Sequence, residues 1–251
     1  MKIITSLKIR ILKLLKKNKD YFSINKIKMF LDYLDPIDRE LIEYQKFEEK
    51  EINFLLKKIY ENNINDFIDI GANCGYYSIK LAAQNKKLKI KAFEPNEEAH
   101  YKFNKTLEVN PLLADQIELN NYGLSNYSKI LEMTSLEKFG YLQTGGSTII
   151  NPNEKQFINS KLFKANFKKG DEEINFKNRN VCIKIDVEGH EYQVLEGLES
   201  TLKKNKIFLQ VEIVNQNFQK VNELLNSFGL QFLNKIIGRA NWIHNYYYKN
   251  F

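Results

Sequence analysis

Asp186-Val187-Glu188-Gly189-His190-Glu191 gathers three carboxylates and an imidazole into one turn, directly after the apolar run 181–185. Like charges held this close repel, so such a turn needs a cation, a proton or a lysine partner. Lys184 is the candidate partner, provided the strand persists through Asp186 so that residues two apart share a face. Asp186, Glu188 and His190 are candidate general bases, each able to take a proton from a hydroxyl as its oxygen attacks. Asp186, Glu188 and the more distant Glu212 are hard oxygen donors that would also suit Mg²⁺. The metal-free arrangement is the preferred reading.

Two further acids close apolar runs. Phe67-Ile68-Asp69-Ile70 runs into Gly71-Ala72-Asn73-Cys74-Gly75, and Phe93-Glu94-Pro95-Asn96 follows about one βαβ step later. Strand, tight turn and helix N-terminus form a cradle for a nucleotide-like ligand. Gly71 and Gly75 let backbone approach it closely, and Asn73 tolerates a left-handed turn while offering hydrogen bonds. The four-residue glycine spacing excludes G-x-G-x-x-G, so a dinucleotide-dependent dehydrogenase does not fit. Glu94, at the end of the second strand, can accept two ribose hydroxyls, and Pro95 sets up the next helix start.

The elements that must position these groups follow from periodicity. Strands are expected at 67–70, 89–93, 117–120, 181–185 and 207–213, separated by helices at 76–84, 97–109, 192–203 and 218–228. Two short β segments at 231–233 and 242–248 finish the chain. This alternation predicts a parallel sheet with helices on both faces. An insertion at about 123–180, with β-like pieces at 129–133, 147–150 and 162–167 and the step Thr144-Gly145-Gly146-Ser147, is long enough to be functional.

The 251 residues divide into a helical N-terminal extension, 1–62, and a main domain, 63–251. The extension is read as a basic amphipathic helix followed by a helix that Asp35-Pro36 starts and that runs to about Tyr60. Of the net charge of +7, the basic excess lies in residues 1–29, where Lys2, Lys8, Arg10, Lys13, Lys16, Lys17, Lys19, Lys26 and Lys28 face Asp20 alone. Ile4, Leu7, Ile11, Leu14 and Leu15 share one helical face there. That helix either packs on the domain, the preferred reading, or makes peripheral contact with an anionic membrane surface. A composition of 43% apolar and 27% charged residues supports a folded core and argues against disorder. No run reaches the ~18 apolar residues that a span needs, and basic residues spread through 1–19 do not form a signal peptide. Cys74 and Cys182 read as reduced, unpaired thiols of a cytoplasmic protein, which could also work at the inner membrane surface.

Taken together, Asp69-x-Gly71-Ala72-Asn73-x-Gly75-Tyr76-Tyr77-Ser78, Phe93-Glu94-Pro95 and Lys184-Ile185-Asp186-Val187-Glu188-Gly189-x-Glu191 with Val194-Leu195-x-Gly197 resemble the FkbM-type methyltransferase family. Asn121-Tyr122-Gly123-Leu124-Ser125 and Gly145-Gly146-Ser147 resemble weaker landmarks of it. The resemblance implies a Rossmann-like class I methyltransferase fold, with a mostly parallel seven-stranded sheet. It also implies S-adenosylmethionine-dependent O-methylation of a sugar, a glycan or a related small metabolite. On that reading Asp69, Gly71, Asn73 and Gly75 hold the amino acid and sulfonium end of the cofactor, Glu94 with Pro95 the ribose, and Asn121 flanks the adenine. Asp186 serves both cofactor and acceptor, Glu188 and His190 the proton transfer, and Ser147, Glu191 and Glu212 the acceptor. His190 stands where the family pattern has a small residue, and the basic N-terminus lies outside the resemblance. A nucleic-acid methyltransferase is the alternative suggested by the basic N-terminus. The near-neutral body and the lack of an Asn/Asp-Pro-Pro-aromatic loop disfavour it. A non-catalytic binding module is disfavoured by the intact motifs.

Overall fold

The computed structural model describes residues 2–138, 141–150, 159–238 and 240–251. Met1 of the expected first helix, and residues 139–140 and 151–158 of the expected insertion, lie outside the described residues. Helix α1 (Lys2–Leu14) buries Leu12 and packs Ile9 against the core. A hairpin follows, β1 (Lys19–Ile24) and β2 (Ile27–Asp32). Asn25 and Lys26 turn it at φ 47° and 72°, the two positive-φ residues of a turn whose twist matches its strands.

Helix α2 (Pro36–Tyr44) starts as the sequence predicts, with the Asp35 carboxylate accepting the amides of Ile37 and Asp38. It stops at Gln45, which is left-handed at φ 61°, and α3 (Glu49–Glu61) begins afresh after Glu48 at φ 46°. The expectation of an all-helical extension, with one helix from Pro36 to about Tyr60, is therefore corrected. The cause is tertiary. The Asn25 amide side chain donates to the Gln45 carbonyl at 2.6 Å, and the Asn25 N–H donates to Gln45 Oε1 at 3.0 Å. Hairpin turn and helix end thus satisfy each other's backbone groups. The break carries Phe47 and Glu48 to the ligand cavity.

The alternating region is β3 (Asp66–Ile70), α4 (Tyr76–Gln84), β4 (Lys89–Phe93), α5 (Glu97–Glu108), the single turn α6 (Pro111–Ala114) and β5 (Ile117–Asn120). The insertion folds as a separate small sheet. It comprises β6 (Gly123–Ser125), β7 (Lys129–Lys138), β8 (Tyr141–Leu142), a 3₁₀ turn at Thr144–Gly146, β9 (Thr148–Ile149) and β10 (Ser160–Lys169), paired in the order β6-β10-β7-β8 with β9 also on β7. After the short α7 (Gly170–Glu173) come β11 (Asn180–Ile185), α8 (Glu191–Gly197), α9 (Glu199–Lys204), β12 (Lys206–Val214), α10 (Phe218–Ser227), β13 (Gln231–Ile237) and β14 (Ile243–Lys249).

The main sheet has seven strands in the order β13-β14-β12-β11-β3-β4-β5. Pairing is parallel from β12 through β5, and β14 is antiparallel to both β12 and β13. This is the class I methyltransferase arrangement, including the antiparallel edge hairpin. Successive residues feed opposite faces: Phe67, Cys182 and Phe208 join one apolar cluster, and Ile68, Ile183 and Leu209 the other. The first cluster also contains Phe22, Met29, Leu31, Leu41 and Ile52, so the N-terminal segment shares a core with the sheet. From β3 the chain winds outward to β4 and β5, then returns to β11 on the other side of β3. Ligands of open α/β sheets bind beyond the carboxyl ends of strands at such a reversal.

Candidate active site

At this reversal the backbones nearly touch. A Cβ on Gly71, whose φ is +81°, would lie 1.8 Å from the Asp186 carbonyl oxygen. Only glycine permits both the conformation and the approach. The Asp186 N–H donates to the Ile70 carbonyl at 3.0 Å, extending the β11–β3 ladder by one residue. Lys184 and Asp186 therefore share a face, and Lys184 Nζ lies 3.0 Å from Asp186 Oδ2. The same ammonium is 4.0 Å from Asp69 Oδ1 and 4.7 Å above the Tyr77 ring. Burial pulls the Lys184 pKa down, but the Asp186 and Asp69 carboxylates outweigh it, and the net shift is upward.

One cavity is lined by Gly71, Asn73, Glu94, Pro95, Ser147, Lys184, Asp186, Glu188, His190 and Glu212, among others. Asn73 is left-handed at φ 50°, and its N–H donates to Glu94 Oε2 at 2.7 Å. The Asn96 N–H donates to the other Glu94 oxygen at 2.8 Å. Burial raises Glu94 to about 7, against the pull of those two amides. Each oxygen keeps a lone pair free for a ligand hydroxyl.

Glu188 is also left-handed, at φ 50°, and Gly189 follows at φ 101°. Backbone strain of this kind collects at functional sites. The Thr148 hydroxyl donates to the Glu188 carbonyl at 2.8 Å and holds the turn from above. Asp186, Glu188 and Glu212 each bring a carboxylate oxygen within 4.8 Å of the others. Burial, then Asp186 and Glu191, raise Glu188 to about 8, and burial with Asp186, Glu48 and Glu188 raises Glu212 to about 10. Burial lowers His190 to about 4. Its Nε2 lies 2.9 Å from Ser125 Oγ, and its ring meets Phe167 edge-on.

Four residues expected at the site stand off the cavity wall. Asp69 is fully buried beneath the loop, where it accepts the Ser78 hydroxyl at 2.7 Å. Gly75 is the left-handed N-cap of α4, and a Cβ there would strike the Phe103 ring at 2.3 Å, so its role is packing. Asn121 is exposed in a bend, and the chain re-enters the cavity only at Gly123 and Leu124. Glu191 is buried and accepts the Gly189 N–H at 2.8 Å, closing its own turn. Conversely, the sequence reading missed Phe47, Glu48, Tyr77 and Thr144 on the wall. The Tyr77 hydroxyl donates to Glu48 Oε2 at 2.6 Å, and burial followed by Asp186 raises Glu48 to about 7. Tyr77 stood inside the quoted glycine motif, whereas nothing local marked Glu48.

The donor set suits an adenosyl ligand with an amino acid end. A carboxylate stands ready for ribose hydroxyls, and the left-handed turn residues Gly71 and Asn73 line the cavity beside it.

Residues 69–233 match the family described as the Methyltransferase FkbM domain. The chain is similar to the methyltransferase sdnD of Sordaria araneosa, 26% identical over 161 residues that cover 61% of this chain and 58% of that one. It also resembles the crystal structure of methyltransferase FkbM from Methylobacillus flagellatus KT, with a TM-score of 0.52 and 16% identity over 74% of this chain and 44% of that one. That second likeness is one of fold, and in both cases the chain spans about half the relative's length. With well over half its residues inside the family's domain and the fold in agreement, the chain belongs to the FkbM family of S-adenosylmethionine-dependent methyltransferases.

Proposed function

We propose that the enzyme methylates a hydroxyl of a sugar, a glycan or a related small metabolite in the cavity at the β3/β11 reversal. The observation that carries this reading is the grouping of Asp186, Glu188 and Glu212 on the wall that also holds Glu94 and Asn73. A hydroxyl attacks only as it loses its proton, and a base is most useful when its pKa lies near the working pH. Glu188, at about 8, meets that condition. His190, at about 4 and bonded to Ser125, is a weak base that fixes the turn. Several carboxyl groups can exchange hydrogen bonds with several hydroxyls, which suits a polyhydroxylated acceptor.

S-adenosylmethionine, when bound, supplies a methyl group on a sulfonium sulfur. The Gly71–Asn73 backbone and Asp186 would hold its amino acid end, Glu94 with Pro95 its ribose, and Gly123 with Leu124 the base. Glu188 would take the acceptor's proton as the oxygen–carbon bond forms and the carbon–sulfur bond breaks. Ser147, Glu48 and Glu212 would bind the acceptor. Holding oxygen, carbon and sulfur in line would supply much of the rate.

No described helix is long and apolar enough to cross a membrane. Helix α1 nevertheless exposes Leu7 at 57%, Ile11 at 48%, Leu14 at 83% and, just beyond it, Leu15 at 60%. The opposite side of the helix, Ile9 and Leu12, already packs on the core. Apolar residues flanked by lysines suit peripheral contact with an anionic membrane surface, where a glycan acceptor could be met.

A methyl-transfer screen against nucleotide sugars, oligosaccharides and RNA tests the acceptor, with Glu188→Gln and Asp186→Asn as controls. Turnover on a saccharide that both substitutions abolish is the expected result. Turnover confined to RNA, or unchanged in both variants, overturns the reading.

A further inference from the structure

Lys102 lies on α5 and is almost completely buried, an unusual place for an ammonium. Its Nζ is 2.7 Å from Asp38 Oδ2, 3.4 Å from Asp35 Oδ2 and 3.2 Å from Thr144 Oγ1. Burial pulls its pKa down, yet the Asp38 and Asp35 carboxylates raise it on balance and keep it charged. Asp35 caps α2 and also accepts the Thr144 N–H at 3.0 Å. Thr144 Oγ1 stands 2.8 Å from Asp35 Oδ2 and 2.9 Å from Asn73 Oδ1. Its single proton serves one of the two, and its lone pairs receive Lys102. Gly145 fits closely against Ile37 and Asn73, since a Cβ there would lie 2.1 Å from Ile37 Cδ1 and 3.4 Å from Asn73 Nδ2.

We propose that Lys102, Asp35 and Thr144 form a latch that presses the 3₁₀ turn Thr144–Gly146 onto the loop after β3, fixes Asn73, and so shapes the cofactor site. Asn73 joins the latch to the cofactor site. Its side chain meets Thr144, and its N–H meets Glu94. Strain at its left-handed φ is held from both sides. The turn is anchored at its other end too, because Ser147 donates to the Thr144 carbonyl at 2.9 Å and receives the Asn96 amide at 2.8 Å. Asp35 and Asp38 lie outside the stretch that matches the family, residues 69–233. The cofactor pocket of this chain is thus completed by its own N-terminal segment. The three latch residues are positioning residues, acting through Asn73.

Lys102→Met strands two buried carboxylates and is prone to misfold, so Thr144→Val is the decisive variant. It keeps the shape and the buried ion pairs and removes only the hydroxyl. The full-length protein is titrated with S-adenosylhomocysteine by calorimetry, next to thermal melting. Thr144→Val is expected to weaken binding about five- to tenfold, the worth of one hydrogen bond, with Thr144→Ser restoring it. Thr134→Val, at a buried hydroxyl without a hydrogen-bond partner, controls for the substitution itself and is expected to bind normally. Binding by Thr144→Val within twofold of the parent overturns the proposal, whether or not the melting temperature falls. The readout is cofactor affinity and does not depend on which acceptor is methylated.

Discussion

The Glu94 carboxylate accepts the backbone N–H of Asn73 at 2.7 Å, so the acid that ends β4 and the loop that follows β3 are one rigid unit. The Asn96 N–H donates to the second oxygen at 2.8 Å. A glutamine here offers one acceptor where two are used, and its NH₂ group confronts a backbone donor. Glu94→Gln is expected to weaken S-adenosylhomocysteine binding about 10- to 100-fold, corresponding to roughly 1.5–3 kcal/mol for hydrogen bonds to a charged group. Burial raises Glu94 to about 7, so the accepting carboxylate is lost as the pH falls below that value, and affinity should fall with it. Calorimetry across neutral pH checks both. Equal affinity for parent and variant would show that ribose is not held here.

If Glu188 is the base, catalysis needs its ionised form. Burial and the Asp186 charge raise it to about 8, so kcat/KM on a saccharide acceptor should climb with pH and level off above that value. A profile flat through neutrality would instead point to His190, which burial holds at about 4 and which is neutral throughout that range. Glu188→Gln should remove the rising limb together with most of the turnover, about 10²–10⁴-fold for a general base.

The sheet was legible because parallel strands buried on both faces read as apolar runs, and 67–70, 181–185 and 207–213 all lie inside observed strands. The wall of the cavity was legible where backbone geometry demands a residue type, at Gly71 and Asn73, or where an acid ends a strand, at Glu94 and Asp186. Asp69 and Glu191 lie off the wall, which the sequence could not show, because an acid next to a glycine turn looks the same whether it faces a cavity or a neighbouring serine or amide. The hairpin at β1–β2 was missed because its turn carries Asn25-Lys26 instead of Asn-Gly. Glu48 was missed because the break in the helix comes from contact with Asn25, twenty residues before Gln45, and no glycine or proline announces it.

Glu212 should be a liability for stability. Its carboxyl is raised from 4.5 to about 10 in the fold by burial and by Asp186, Glu48 and Glu188. Its contribution is then fully present below pH 4.5 and is lost as the pH rises toward 10. The melting temperature of the parent should therefore decline from mildly acid to alkaline pH, and Glu212→Gln should flatten that decline and melt higher at alkaline pH. A parallel pH dependence in the two proteins would remove Glu212 as the cause. A rise in the parent's melting temperature on adding Mg²⁺ at alkaline pH would instead give the Asp186, Glu188 and Glu212 group a cation to hold.

Leu7, Ile11 and Leu14 are exposed on α1, whereas Leu12 on the other side of the helix is buried in the core. Replacing the first three by glutamine should leave the melting temperature and S-adenosylhomocysteine binding unchanged. Vesicle affinity is the property expected to move, because each leucine that enters the headgroup region contributes about 1.5–3 kcal/mol when fully buried, or roughly tenfold or more per residue. Sedimentation with vesicles rich in anionic lipid should detect the parent and not the triple variant, and the parent's binding should weaken as salt screens the lysines. A parent that stays in the supernatant at low salt removes the membrane contact. A variant that sediments as well as the parent moves it off the leucine face of α1.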